Sequence, residues 1–323
     1  MKSKILLAPL FVAIIVSCIS KNTGINYKPV IDGEWWNITN TPNLGEYNTD
    51  KQEPVDFGVW QAADGTWQLW SCIRHTSCGG NTRLFHAWEG KTLLDTAWVP
   101  KGVAMIADTT LGEVKGGLQA PYVMKENGIY YMFYGGWDNI CLATSKDGKN
   151  FERVINETGT PELFRGPLTN PRDAMVIKEE DSYYCYYSAH DLDRSLEEIQ
   201  AAIYLRKSKD MKDWSEPIMV SAGGKYEEVD CWGGGDAECP FVVKVKDKYV
   251  LFRNIEYGSK SLNAQYCSDN PEYFGIKEDS LQVGELEIAA PEIVEHEGQY
   301  YIVCLKKTLD GMRVAKLKWE EVK

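Results

Sequence analysis

A chain of 323 residues with 44% hydrophobic residues has the length for one large domain or two ordinary ones, and the apolar content for a packed core, which excludes a disordered chain. A formal net charge of −12 provides no basic surface to neutralise phosphates, so no nucleic-acid partner is expected. The 18 Tyr, 11 Trp and 9 Phe favour strands, and aromatic faces of this kind also suit sugar rings.

At the N-terminus, Lys2 and Lys4 precede an apolar run over residues 5–16 that is too short for a spanning helix and reads as a leader. The run ends in Ile15-Val16-Ser17-Cys18, which resembles a bacterial lipobox. That resemblance implies a signal peptide over residues 1–17 and a lipidated Cys18 as membrane anchor, on the periplasmic side or at the cell surface; the alternative is an ordinary secretory leader cleaved nearby. Two or more acyl chains hold a protein on a membrane stably. Export permits disulfides, and Cys72 and Cys78, which bracket a five-residue loop, are candidates to pair. Cys141, Cys185, Cys239 and Cys304 sit in strand-like runs and are expected to behave as small buried hydrophobes. No C-x-x-C pair occurs, and no metal-ligand spacing is present.

Residues 18–50 read as a tether and N-terminal extension, in which 27–38 suits a strand. One pattern then recurs five times through residues 51–323. Each copy is a short apolar strand, a tight turn and a second, aromatic strand. Aligned without gaps on Trp67, Tyr130, Tyr183, Tyr249 and Tyr300, the copies lie 63, 53, 66 and 51 residues apart, room for four strands each. Asp64-Gly65, Asn127-Gly128 and Glu297-Gly298 are hairpin turns. A second signature, Ser145-Lys146-Asp147-Gly148 leading to Phe151 and Ser208-Lys209-Asp210 leading to Trp214, marks the third and fourth strands. The pattern predicts an all-β fold: a five-bladed β-propeller of four-stranded antiparallel blades around a central channel. The fifth copy has about three strands, and residues 27–38 are placed to supply the fourth. Residues 195–200 are the best candidate for a helical turn.

In a propeller the first strand of every blade lines the channel, so equivalent positions converge at one end of it. One aligned column reads Asp56, Gln119, Arg172, Glu238 and Ala289; the next reads Phe57, Ala120, Asp173, Cys239 and Ala290. Three carboxylates, Asp56, Asp173 and Glu238, thus fall within one position of a single ring. Crowded like charges are costly unless they ionise unequally, and unequal ionisation is what glycoside hydrolysis uses.

This plan resembles the propeller glycoside hydrolases of families 43, 32, 62 and 68. Arg172-Asp173 is similar to the Arg-Asp of the Arg-Asp-Pro motif of family 32, and Glu238-Cys239-Pro240 to its Glu-Cys motif; Val55-Asp56-Phe57-Gly58 occupies the place of the blade-one Asp. The chain departs from family 32 in lacking Asn-Asp-Pro-Asn-Gly at that first motif and residues for a C-terminal β-sandwich. It departs from family 43 in that blade two offers Gln119, so the middle carboxylate falls to Asp173.

The resemblance implies a glycosidase acting on arabinose-, xylose- or fructose-containing glycans. Glu238 would be the general acid, Asp56 the base that activates water (inverting) or the nucleophile (retaining), and Asp173 the orienting group, held ionised by Arg172. Substrate contacts are expected from Arg172, Gln119, Trp232 beside its glycine run, Arg74 and His75 at the end of blade one's second strand, His190 in blade three and Arg253 in blade four, with Trp137 and Asp138 shaping the outer part of the pocket. No cofactor is required; some propellers of this type bind a structural calcium in the channel. The expected partners are an oligo- or polysaccharide and a membrane, with the protein a monomer. Two alternatives stand beside this reading: a non-catalytic glycan-binding lipoprotein, which would tolerate Glu238→Gln, and a glycoside phosphorylase, which uses one catalytic Asp and a basic phosphate site.

Overall fold

The computed structural model describes residues 24–190, 201–227 and 237–323. The leader with Cys18, the turn at 195–200, Trp232 and its glycine run lie outside these residues. The described chain forms five antiparallel sheets. Blade one is Glu53–Gln61, Trp67–Arg74, Leu84–Gly90 and Val99–Met105. Blade two is Gln119–Glu126, Ile129–Gly135 and Ile140–Ser145, with an outer edge split between Glu152–Arg153 and Glu162–Phe164. Blade three is Thr169–Glu179, Ser182–His190, Ala201–Ser208 and Ile218–Ser221. Blade four is Glu238–Val245, Lys248–Glu256, Leu262–Ser268 and Gln282–Leu286. Blade five is Glu292–His296, Gln299–Leu305 and Met312–Val322, and its outer strand is Asn26–Ile31. The helical content of the described residues is four three-residue 3-10 turns.

The N-terminal strand closes the ring. It pairs with Met312–Val322 from Asn26↔Val322 to Ile31↔Leu317, and Trp36–Asn37 adds to the same strand. The expected boundary at residue 51 therefore cuts through the fold, because blade five needs residues 26–37. The first strands of the five blades touch one another in order around the channel, and blade five meets blade one.

Local sequence explains the hairpins. Asn127-Gly128 and Glu297-Gly298 have φ of 50° and 79°, and 52° and 76°, the two positive angles of the turn whose twist matches the strands. The second signature also has a mechanism. Ser145 Oγ donates to Asp147 Oδ1 at 2.7 Å and accepts from Gly148 N at 2.8 Å. Ser208 repeats this with Asp210 and Met211 at 3.0 and 2.8 Å. The aromatic residue after each turn enters the space between blades. Phe151 meets Trp60 and Trp70 edge-on, and Trp214 meets Phe133 and Phe164. Edge-to-face pairs of this kind add to the burial that holds neighbouring sheets together.

Blades one and two approach closely at Gly58. A Cβ there would lie 2.5 Å from Pro121 O on the adjacent inner strand. Gly58→Ala must push two inner strands apart, and overpacking of this kind costs about 1–3 kcal/mol. The expected result is a lower melting temperature by calorimetry; an unchanged Tm would mean that the strands give way freely.

The cysteines correct two expectations: Cys239 is half-buried with its Sγ donating to Asp56 instead of packing as a buried hydrophobe, and Cys72 and Cys78 do not pair. Cys72 and Cys78 are both free: Cys72 is buried with Sγ 3.3 Å from Leu118 O, whereas Cys78 turns to Thr76 and Arg83 O. Cys141, Cys185 and Cys304 are buried among apolar neighbours.

Candidate active site

Antiparallel strands bring the start of each first strand, the end of each second strand and the start of each third strand to the same end of the channel. There an open pocket of about 240 Å³ is lined by Asp56, Gln119, Arg172 and Glu238 from first strands, Arg74, Glu256 and Tyr257 from the ends of second strands, and Arg83 before a third.

A bulge places the first-strand side chains. The ladder shifts register between Val55 and Phe57, Gln119 and Tyr122, Arg172 and Met175, and Glu238 and Phe241. In blades two to five the second-column residue takes a left-handed φ: Ala120 42°, Asp173 58°, Cys239 41° and Ala290 46°. None is glycine, and such angles cost roughly 1–3 kcal/mol each. Bulges beside sites re-aim side chains. Here the residue before the left-handed one faces the pocket, and the left-handed one faces the channel. Asp173 and Cys239 therefore lie one layer beneath Arg172 and Glu238. Blade one bulges differently, without a left-handed residue at Phe57, and Asp56 reaches both layers. Gly135 completes the setting: a Cβ on it would stand 3.1 Å from Gln119 Cβ and 3.2 Å from Arg172 Cβ.

The three carboxylates occupy three different environments. Asp56 is half-buried and accepts two hydrogen bonds on Oδ1, from Tyr257 Oη at 2.8 Å and Cys239 Sγ at 3.2 Å. Glu238 is buried; its Oε1 takes the Arg172 Nη2 donor, with His190 Nε2 at 3.7 Å. Asp173 is buried beneath them. Its Oδ2 accepts from Cys239 N at 3.0 Å and stands 3.7 Å from Arg172 Nε, while Oδ1 has no hydrogen-bond partner among the described residues.

Arg172 is the centre of this group. Burial works against its charge, but Glu238 and Asp173 outweigh burial and hold it protonated. Its Nη2 also lies 3.2 and 3.3 Å from the two ring nitrogens of the buried His190. A guanidinium can only donate, so a hydrogen bond here needs a ring nitrogen that accepts. Burial raises the Glu238 carboxyl above its ordinary range, Arg172 pulls it down, and Asp56 adds to the rise. Burial likewise raises Asp173, against Arg172 and with help from Asp56 and Glu238. Three acids around one guanidinium cannot all be ionised cheaply in a buried site, and burial raises both Asp173 and Glu238.

The site residues expected from sequence divide as follows. Asp56, Gln119, Arg172, Glu238 and Arg74 line the pocket, and His190 backs Arg172. His75 is a correction: its side chain is 53% exposed, 3.8 Å from Glu53 Oε2, and it does not line the pocket. Arg253 is a second. It is buried between blades three and four, donating to Ser221 Oγ and Gly223 O with its guanidinium over the rings of Tyr226 and Tyr266. Trp137 lies under the Arg83 guanidinium at 5.0 Å, and Asp138 beside it is exposed. Tyr257, Glu256 and Arg83 were not legible as pocket residues. The rule that selects Arg74 and His190, the end of a second strand, selects Glu256 and Tyr257 once blade four's second strand is known to run to Glu256.

Known structures share this architecture. A thermostable family-43 glycoside hydrolase superposes with a TM-score of 0.61 at 20% identity, over 88% of this chain and 93% of that one. The endo-arabinase from Bacteroides thetaiotaomicron gives 0.61 at 14% identity, over 84% and 94%. A GH43 β-xylosidase/α-arabinofuranosidase from a compost microbial metagenome, in complex with xylotriose and in a calcium-free form, gives 0.58 at 18%, over 86% and 96%. The likeness is one of fold. No protein-family model matches the sequence, and no curated protein does.

The channel also bears on calcium. Asp56, Asp173 and Cys239 each bring one ligand atom within 4.8 Å of the others. Calcium takes six to eight oxygens, waters among them; this group offers two carboxylates and a thiol, and Glu292 lines the same channel. No step below is routed through an ion at this place.

Proposed function

We propose that the protein is a glycoside hydrolase acting on arabinose- or xylose-containing glycans. The observation that carries the proposal is the division of labour among three carboxylates at one channel mouth. Glu238, raised by burial, is the acid that protonates the departing glycosidic oxygen. Asp56 is the partner carboxylate. Tyr257 and Cys239 fix its Oδ1, which leaves Oδ2 to act on water or on the sugar. Asp173 lies in the channel layer beneath the substrate pocket and serves as a positioning residue, fixing Arg172 and, once ionised, setting a negative field beneath Glu238. Arg172 orients Glu238 through Oε1, and the proton, taken up from water by the burial-raised carboxyl, passes to the departing glycosidic oxygen. The fold shared with enzymes named for arabinan and xylosides supports the two pentoses over fructose.

We further propose that Cys18 carries the membrane anchor, on the strength of the lipobox-like run before it. Purified residues 19–323 should release sugar from aryl arabinofuranosides or xylosides and from the matching oligosaccharides, with Glu238→Gln inactive on the oligosaccharides. Binding of glycans without release by the wild-type protein would replace this reading with a glycan-binding protein.

A further inference from the structure

Two arginines stand opposite each other on the blade-one wall of the pocket. Strands Trp67–Arg74 and Leu84–Gly90 pair up to Ile73↔Leu84, so the next facing positions are Arg74 and Arg83. Like charges directly across a strand pair repel and destabilise the pair. Glu53 answers Arg74, whose Nε and Nη2 both donate to Oε2 at 2.8 Å. Arg83 is held otherwise. Its Nη1 donates to Asn81 O at 3.1 Å, and its guanidinium lies over the Trp137 ring. Trp137 itself has a φ of 83°, a strained angle for a bulky residue, and a Cβ on Gly117 would sit 3.0 Å from its own Cβ. A flat ring fixed under a flat guanidinium holds that fork in one plane. In the same pocket Gln119 is 3% exposed, and its buried Oε1 has no hydrogen-bond partner among the described residues.

We infer that this wall is an oxyanion subsite, and that its occupant is a carboxylate carried by the substrate: a uronic acid attached close to the bond that is cleaved. The inference rests on the hydrolase reading and names its substrate class. Arg74, Arg83 and Gln119 share the pocket with Asp56 and Glu238, so an acid group bound there lies next to the reacting sugar. The planar fork of arginine matches a carboxylate through two parallel hydrogen bonds. Free phosphate offers similar chemistry and would turn the reaction into phosphorolysis. The substrate carboxylate is favoured because Asp56 already supplies the group that acts on water, a group that attack by phosphate does not need.

The test is calorimetric binding to the Glu238→Gln protein of two xylo-oligosaccharides that differ only in one glucuronic acid branch. The acidic ligand should bind about tenfold tighter or more at low salt, with the ratio shrinking as salt is added. Arg83→Gln should bring the ratio close to one, Arg83→Lys should restore part of it, and Arg74→Gln should lower it independently. Equal affinities in the parent, no binding of the acidic ligand, or a preference unchanged in both glutamine variants overturns the inference. So does cleavage by the wild type that depends on added inorganic phosphate. Hydrolysis of neutral aryl pentosides by the wild type is measured alongside. Cleavage there without any preference for the acidic ligand removes the subsite alone, whereas no cleavage of any substrate removes the hydrolase reading.

Discussion

Glu238→Gln is expected to lower kcat on natural oligosaccharides by about 10²–10⁴-fold while leaving dinitrophenyl glycosides nearly unaffected. The split follows from the role. A general acid matters only when the leaving group needs a proton, and a dinitrophenolate does not. Gln keeps an acceptor oxygen for Arg172 Nη2, so the buried guanidinium is not stripped of its hydrogen bond. Asp56→Asn should lose comparable activity on both substrate classes, because the atom acting at the sugar carbon or on water is missing whatever the leaving group. The measurement is kcat across aryl glycosides of graded leaving-group acidity, with a melting curve on each variant. Equal slowing of every substrate by Glu238→Gln would remove it from the acid role.

The second large effect concerns Asp173 and pH. Burial pushes its carboxyl up to about 7, against Arg172 and with Asp56 and Glu238 adding to the rise. A carboxyl raised in the folded state contributes stability that is fully present below its ordinary range and is lost as pH rises through the folded value. The wild-type protein should therefore lose stability between about pH 4 and pH 7 through this group. Asp173→Asn removes that loss, so the variant should melt roughly 3 °C or more above the wild type at pH 8, with the difference vanishing near pH 4. Activity should move the other way. Without the negative field beneath it, Glu238 gives up its proton at lower pH, and the alkaline limb of the kcat/KM profile should shift down. A variant that is less stable at pH 8, with an unshifted alkaline limb, would mean that Asp173 is held ionised by Arg172 and has no part in tuning the acid. A gain in stability at the expense of activity is what a strained functional position is expected to show.

Much of the architecture was legible because the propeller repeats it. Trp67, Tyr130, Tyr183, Tyr249 and Tyr300 all fall at the first or second position of a second strand, and the spacing between them left room for four strands. The Ser-x-Asp turns declared the third and fourth strands because their hydrogen bonds are local. The ring closure by Asn26–Ile31 was legible from the strand missing in the fifth copy. What escaped depended on backbone angles and on contacts between blades. No local signal marks Ala120, Asp173, Cys239 and Ala290 as left-handed, since none is a glycine. A gap-free alignment therefore placed Asp56 in one column, when its bulge brings it to two. Arg253 was assigned to the pocket because blade four's second strand was ended too early; three further residues carry the pocket face to Glu256 and Tyr257. Cys72 and Cys78 are close in sequence, but Cys72 lies in a strand and faces Leu118 of the neighbouring blade, a direction that spacing alone does not reveal.

The central claim is that water attacks the anomeric carbon once Glu238 has protonated the leaving oxygen. The most direct test is digestion of an arabino- or xylo-oligosaccharide in oxygen-18 water, with mass spectrometry of the products. The account predicts one heavy oxygen at the anomeric carbon of the released sugar and none on the leaving fragment, from the wild type and not from Glu238→Gln. Label on the leaving fragment, a sugar phosphate formed in place of a labelled sugar, or no product from any pentose glycan would contradict it.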